Sequence, residues 1–276
     1  MRTLVAILTL ALFHSFAFGQ LNRQTPFALR VSASTSYFLC DLGGKHGYGS
    51  NDLSDINLEQ TRFGLGVGLQ YRKGGFSLGA NTTYVRLAAD DQLSNSARGI
   101  RGLNVITDVL EASVNMEYCV PRNIPVFRNL FFNIGYGVMI YSPKAKYNGN
   151  TYKLRPLGTE GQNYLPGVDK YSTFAPVIPF GFGYKFRFKD GASLALDVSL
   201  RKSFTDYLDD VSTSYADPNR ISQKAGPIAS ILADRSTRGF QEGEQRGDSE
   251  DMDNYFLIGF KYTIPLGKRS NGCYYW

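Results

Sequence analysis

Eight stretches of this chain alternate apolar and polar residues with a period of two, and the connections between them alternate short and long. Successive side chains on an extended backbone point to opposite sides, so this period marks strands with two unlike faces. Residues 61–75, TRFGLGVGLQYRKGG, show it most cleanly. Phe63, Leu65, Val67, Leu69 and Tyr71 form one row, and Arg62, Gly64, Gly66, Gly68, Gln70 and Arg72 form the other. A soluble sandwich would bury the apolar row. A membrane barrel would set that row against lipid and keep the glycines and charges in a narrow lumen. One strand does not decide between them.

The connections do. Strands are expected at about 27–38, 61–72, 76–86, 105–119, 129–141, 177–188, 192–202 and 254–265. KGG, PRNIP and KDG join the second to the third, the fourth to the fifth and the sixth to the seventh. The other links, near 41–60, 88–103, 142–173 and 203–252, are long. Sorting of loops by parity is what an outer-membrane barrel shows, with tight periplasmic turns and large outer loops; a Greek-key sandwich has no reason for it. The fold class expected is all-β: an eight-stranded antiparallel transmembrane β-barrel.

The chain begins MRTLVAILTLALFHSFAFGQ, with Arg2, an apolar run and small residues before Gln20. This reads as a secretory signal peptide over 1–19, leaving the barrel as 20–276. With 29 Gly, 18 Tyr and 19 Phe, the composition also leans to β structure. The expected location is the cell outer membrane, crossed many times, with membrane lipid as the first partner.

An eight-stranded barrel is only wide enough for side chains to fill. The inward glycines are expected to make room for the long inward arms of Arg30, Arg62, Glu111, Glu117, Lys185, Arg187, Arg201 and Lys261. Buried charges must pair, so the lumen is expected to be plugged by salt bridges.

Catalytic chemistry finds no residue set. His14 belongs to the signal and His46 stands alone in the first long loop, so no nucleophile–base arrangement can be named. Neither a cofactor motif nor a metal ligand set is expected: GLGVGLQ precedes a turn and a strand where a dinucleotide loop needs a helix, and Cys40, Cys119 and Cys273 lack ligand spacing. A formal net charge of +6 spread along the chain is no nucleic-acid footprint. Cys119 and Cys273 both fall at the periplasmic end, which allows a disulfide; three free thiols is the other reading. Lys73, Arg122, Lys189, Lys268 and Arg269 gather at the periplasmic rim, able to dock an acidic partner or simply to be solvated, while the fourth long loop is acid-rich.

RKSFTDYLDDVSTSYADP at 201–218, SYFLCDLGG at 36–44 and the Cys273-containing tail together resemble the PorG-like outer-membrane proteins of the type IX (Por) secretion system of Bacteroidetes. The resemblance runs over nearly the whole mature chain, and TDYLDDVS is its most specific piece. It implies a non-enzymatic accessory of a protein-secretion machine, associated with a periplasmic ring built from a lipoprotein and its partner. Thr205, Asp206, Tyr207, Leu208, Asp209, Asp210, Val211 and Ser212 carry the family motif. Structurally they would fold back on the barrel mouth, Tyr207 and Leu208 covering apolar surface and the aspartates capping turns; functionally they would contact another component. The terminal CYYW departs from a typical tail. A small channel, a lipid-active barrel and a surface adhesin are the alternative roles.

Overall fold

Each alternating stretch becomes one rung-bonded strand of a closed antiparallel wall. The computed structural model describes residues 26–42, 58–93, 97–121 and 127–266. In chain order the strands are β1 (Phe27–Leu39), β2 (Arg62–Lys73), β3 (Phe76–Asp90), β4 (Asn104–Cys119), β5 (Leu130–Tyr147), β6 (Asn150–Lys153), β7 (Phe174–Arg187), β8 (Ser193–Ser203) and β9 (Asn254–Pro265). Neighbours pair antiparallel, β5 pairs β7, and β9 returns to β1 over Ala28↔Pro265 to Leu39↔Asn254, which closes an eight-stranded barrel. Short β6 lies outside that ring, a hairpin partner to the end of β5.

Over the lower part of the wall the outward row is apolar. On β5, Phe132, Ile134, Tyr136 and Ile140 are exposed while Phe131, Asn133, Gly137 and Met139 are buried. Phe63, Leu65, Val67 and Leu69 on β2 continue the belt, as do Phe180, Phe182 and Phe186 on β7 and Phe260 on β9. A closed ring leaves no strand edge unpaired, and an apolar belt of this kind is stable only against hydrocarbon. The chain is a multi-pass barrel of the outer membrane. No helix among the described residues is long and apolar enough to cross a membrane.

Three strands run further than the alternation suggests. β3 continues to Asp90, β5 to Tyr147, and β7 begins at Phe174, so the expected 142–173 loop is partly wall. The reason is a change of face. Beyond Ile140, β5 turns Ser142, Lys144 and Lys146 outward and buries Tyr141, Pro143 and Ala145. At the same level Tyr84 Oη and Arg86 Nε donate to Asp108 Oδ1 at 2.6 and 2.8 Å, and Lys144 Nζ donates to Asp108 Oδ2 at 2.7 Å, all on the outside of the wall. These polar ladders mark the upper border of the lipid belt. Inside, Val85, Leu87, Val109, Met139, Tyr141, Val177 and Leu257 form a dry core where the lower lumen is polar.

Asn148 (φ 48°) and Gly149 (φ 78°) both take the left-handed conformation that a tight two-residue hairpin between β5 and β6 demands. Between β8 and β9 the long loop forms α1 (Pro218–Ala225), capped by Asp217 on the Asn219 N–H, and α2 (Pro227–Ala233). Ile221, Ala229 and Ala233 pack these helices against Leu157 and Leu165 of the preceding long loop. The outer loops thus build a folded cap over the barrel.

Candidate functional site

The lower lumen holds the first cluster of charges. Glu117 on β4 accepts from Arg30 Nη2 of β1 at 2.7 Å and from Lys185 Nζ of β7, so one carboxylate ties both sides of the barrel. Arg201 of β8 reaches Glu111 at 3.3 Å, and Tyr255 Oη donates to the same Glu111 oxygen at 3.0 Å. Lys261 pairs with Asp197 at 2.7 Å, and Asn133 and Ser199 donate to that carboxylate. Lys185 and Lys261 also sit over the Phe131 ring, 4.9 and 6.0 Å from its centre. Removing one partner of such a pair strands a buried charge, which is why these ions occur as sets. A cavity of about 40 Å³ remains among them, room for a few waters.

Two of the expected lumen charges lie elsewhere. Arg62 stands at the outer end of β2, its guanidinium on the Thr61 and Glu59 carbonyls at 2.9 and 3.4 Å, because alternation alone does not say how high along a strand a residue sits. Arg187 is at the lower rim, donating to Asn129 Oδ1 at 3.0 Å. Asp197, which alternation does place inward, is the buried acid that the charge set lacked. The inward glycines face neighbouring strands more than long arms: a Cβ on Gly64 would stand 2.8 Å from Ser34 Oγ, and one on Gly183 would enter the Phe131 ring. The inner wall of a narrow barrel crowds Cβ atoms together, and glycine relieves it there.

The second cluster is the motif loop in the outer mouth. Leu208 is fully buried in the dry core, its N–H donating to Asp253 Oδ2 at 2.8 Å and its carbonyl accepting from Thr107 Oγ1 at 2.5 Å. Tyr207 stacks on Tyr171 with ring centres 4.4 Å apart. Thr205 Oγ1 accepts from the Tyr207 N–H at 3.2 Å and lies 2.9 Å from Tyr141 Oη. Asp209 Oδ1 accepts from the Val211 N–H at 2.8 Å. Asp210, at φ 68°, accepts from Tyr171 Oη and Thr159 Oγ1, both at 2.5 Å. Burial lifts the Asp210 carboxyl to about 6, against the pull of Arg246. Asp206 goes up to about 9, by burial first and then by the charges of Asp209 and Asp41.

Around the motif, buried arginines are matched to acids. Arg246 Nη1 donates to Glu160 Oε1 at 3.0 Å and to the Asp210 carbonyl at 2.6 Å. Glu160 in turn accepts from the Ser212 and Thr213 N–H groups. Arg101 clasps both oxygens of Asp91 at 3.1 Å and reaches the Asp41 carbonyl at 2.7 Å. None of Arg101, Glu160 or Arg246 stands out in the sequence, because each is a charge in a long loop with no periodic context.

At the periplasmic end, Lys73 and Lys189 are exposed on the β2–β3 and β7–β8 turns. Arg72 Nη1 reaches the Gly191 carbonyl at 3.4 Å, linking those two turns beneath the barrel. Arg122, Lys268 and Arg269 lie outside the described residues, as do the expected signal segment 1–19, His46 and Cys273. Cys119 is half-buried at this rim, 3.5 Å from Lys185 Nζ, while Cys40 is buried at the opposite, outer end. The described residues therefore set Cys40 apart from Cys119.

No protein-family model matches the chain, and no curated protein matches it. Among solved structures, the chain is similar to Neisserial surface protein A (NspA), with 6% identity over 87% of this chain and 97% of that one and a TM-score of 0.38. It is similar to Ail, the attachment invasion locus protein of Yersinia pestis, with 8% identity, 86% and 97% coverage and a TM-score of 0.37. The outer membrane protein OprG of Pseudomonas aeruginosa gives 10% identity, 89% and 99% coverage and a TM-score of 0.34. Likeness at this level bears on neither ligand nor role.

Proposed function

We propose that this barrel is a non-enzymatic outer-membrane component of a protein-secretion machine, of the type IX kind, that holds a periplasmic ring at the membrane. The observation that carries this reading is a lumen occupied by side chains at two levels. Crossed ion pairs fill its lower part and a dry core with Leu208 fills the upper part, which suits an anchored platform and not a conduit. The resemblance within 201–218 supplies the choice of machine. Lys73 and Lys189, exposed on turns facing the periplasm, are the described part of the surface that would meet an acidic partner; Arg122, Lys268 and Arg269 complete it in sequence.

Exposed ion pairs contribute only about 0–1 kcal/mol each, so the test removes several together. The variant lacks residues 267–276 and carries Lys73→Glu and Lys189→Glu. Tagged wild-type protein, purified from gently solubilised outer membranes, is expected to bring the ring lipoprotein and its partner, identified by mass spectrometry; the variant is expected to insert normally and lose them. Normal secretion by a variant present at wild-type level in the membrane would refute the ring-anchor reading and favour a surface role for the cap.

A further inference from the structure

We propose that Asp209 and Asp253, with Cys40 at their edge and the Asp206 carboxylate nearby, form a site for a divalent cation of the hard, calcium-like class at the outer mouth of the barrel. The site is independent of the secretion reading.

The geometry is the first support. Cys40 Sγ and one carboxylate oxygen from each of Asp209 and Asp253 lie within 4.8 Å of one another, all buried. Backbone donors aim the carboxylates: Val211 N–H holds Asp209 Oδ1 and Leu208 N–H holds Asp253 Oδ2, both at 2.8 Å.

Unpartnered oxygens are the second. Asp206 is only 6% exposed, yet neither of its carboxylate oxygens has a hydrogen-bond partner; the Ser212 hydroxyl is nearby but out of bonding geometry. Asp209, 1% exposed, also leaves Oδ2 without a partner. Buried polar atoms are almost always satisfied, and a bare carboxylate is among the costliest exceptions.

Charge is the third. Asp206, Asp209 and Asp253 repel one another, and none of them is in an ion pair. The two nearby arginines are committed, Arg246 to Glu160 and Arg101 to Asp91. A cation would meet the Asp209 and Asp253 oxygens together and offset the charge of Asp206 beside them.

Oxygen ligands select the class. Cys40 Sγ donates to the Leu42 carbonyl at 3.5 Å, so it borders the site as a thiol. Magnesium keeps several waters in a strict octahedron, whereas calcium accepts an irregular set of carboxylates and carbonyls. The ion would join two separate segments, the motif loop after β8 and the residue before β9, beside the end of β1.

The experiment uses the full barrel folded in detergent micelles and stripped with EDTA. Calcium chloride titration by calorimetry, and terbium luminescence sensitised by tyrosine, are expected to show one ion per barrel. Asp206→Asn and Asp209→Asn should each weaken binding by about tenfold or more. Cys40→Ser should retain binding, and so should Glu242→Gln, which removes an exposed acid of the same cap. Wild-type protein that binds no calcium at millimolar concentration would overturn the proposal without recourse to any variant. Unchanged binding in the Asp206→Asn/Asp209→Asn double variant would overturn the location. Binding of zinc in preference to calcium, abolished by Cys40→Ser, would overturn the hard-cation class.

Discussion

The lower and upper parts of this barrel share strands but reverse their faces. Below Ile140, β5 puts Phe132, Ile134 and Tyr136 outside and Asn133 inside; above it, Lys144 and Lys146 are outside and Tyr141 and Ala145 inside. β3 and β4 make the same exchange, with Leu78 and Val114 outward below and Arg86 and Asp108 outward above. The backbone is identical in kind on both sides of the border. What changes is the solvent, hydrocarbon below and water above, and each solvent takes the residues it dissolves. Polarity of a face is thus a statement about its surroundings; the period of two reports only that there are two faces.

The hardest test of that contrast is Glu117→Leu. It leaves Arg30 and Lys185 without their counter-charge in the lower lumen and should destabilise the barrel by about 3–5 kcal/mol, read by urea unfolding in lipid vesicles. A loss under 1 kcal/mol would mean that this lumen is wet enough to solvate lone cations. The matching test above the border is Leu208→Ala, expected to cost about 2–5 kcal/mol through the cavity it opens in the dry core. Its signature should be protease cleavage of the 204–253 loop while the lipid-embedded strands stay protected. Protection of both would place the upper core outside the cap's stability.

Next come the outward rows. Leu65→Arg faces hydrocarbon and should cost about 2–4 kcal/mol near the bilayer middle. Lys146→Leu, on the outer face above the border, should change stability by less than about 0.5 kcal/mol. Equal costs for the two would erase the border. The finest probe is pH, applied to the cap in calcium-free buffer. Asp206 has an ordinary value of 3.8 and is lifted to about 9 in the fold, and Asp209 and Asp253 move in the same direction. The folded cap therefore holds protons that the unfolded segment releases, and its stability is greatest at acid pH and is lost progressively as pH rises from about 4 to 9. Asp41 and Glu160 reinforce this trend at Asp206, and Arg246 opposes it at Asp209. Protease resistance of the 204–253 loop that instead climbs with pH would contradict it.

The lower barrel was legible because lipid enforces strict alternation. Phe63 to Tyr71 on β2 and Phe180 to Phe186 on β7 announce their faces without any tertiary information. Glu111, Glu117, Lys185, Arg201 and Lys261 follow as inward charges, though not who pairs with whom, since partners come from strands far apart in the chain. Arg62 misleads because it continues the alternation past the level where the lumen ends. In the cap, legibility fails for a different reason. Arg246, Glu160 and Asp91 are ordinary loop charges until folding brings them to buried partners, and Cys40 looks solitary until residues more than a hundred and sixty positions later stand beside it. Leu208 was marked by its motif, but its place among Val85, Val109 and Met139 belongs to the assembled mouth.

The Glu117 crossing has a consequence for how the barrel is made. Arg30 lies 87 residues from Glu117, and Lys185 lies 68 on the other side. The seam that brings β1 to β9 joins residues as far apart as Thr35 and Ile258, a separation of 223. Few of these contacts are local, so chain-closure entropy must be met before they stabilise anything, and assembly is slow and cooperative. Until the seam shuts, the arginine, lysines and glutamates that will be sealed inside remain on one face of an open sheet, where water is their natural company. Hydration of that face keeps the half-made wall from entering lipid piecemeal, and shutting the seam is the step that makes it a membrane protein.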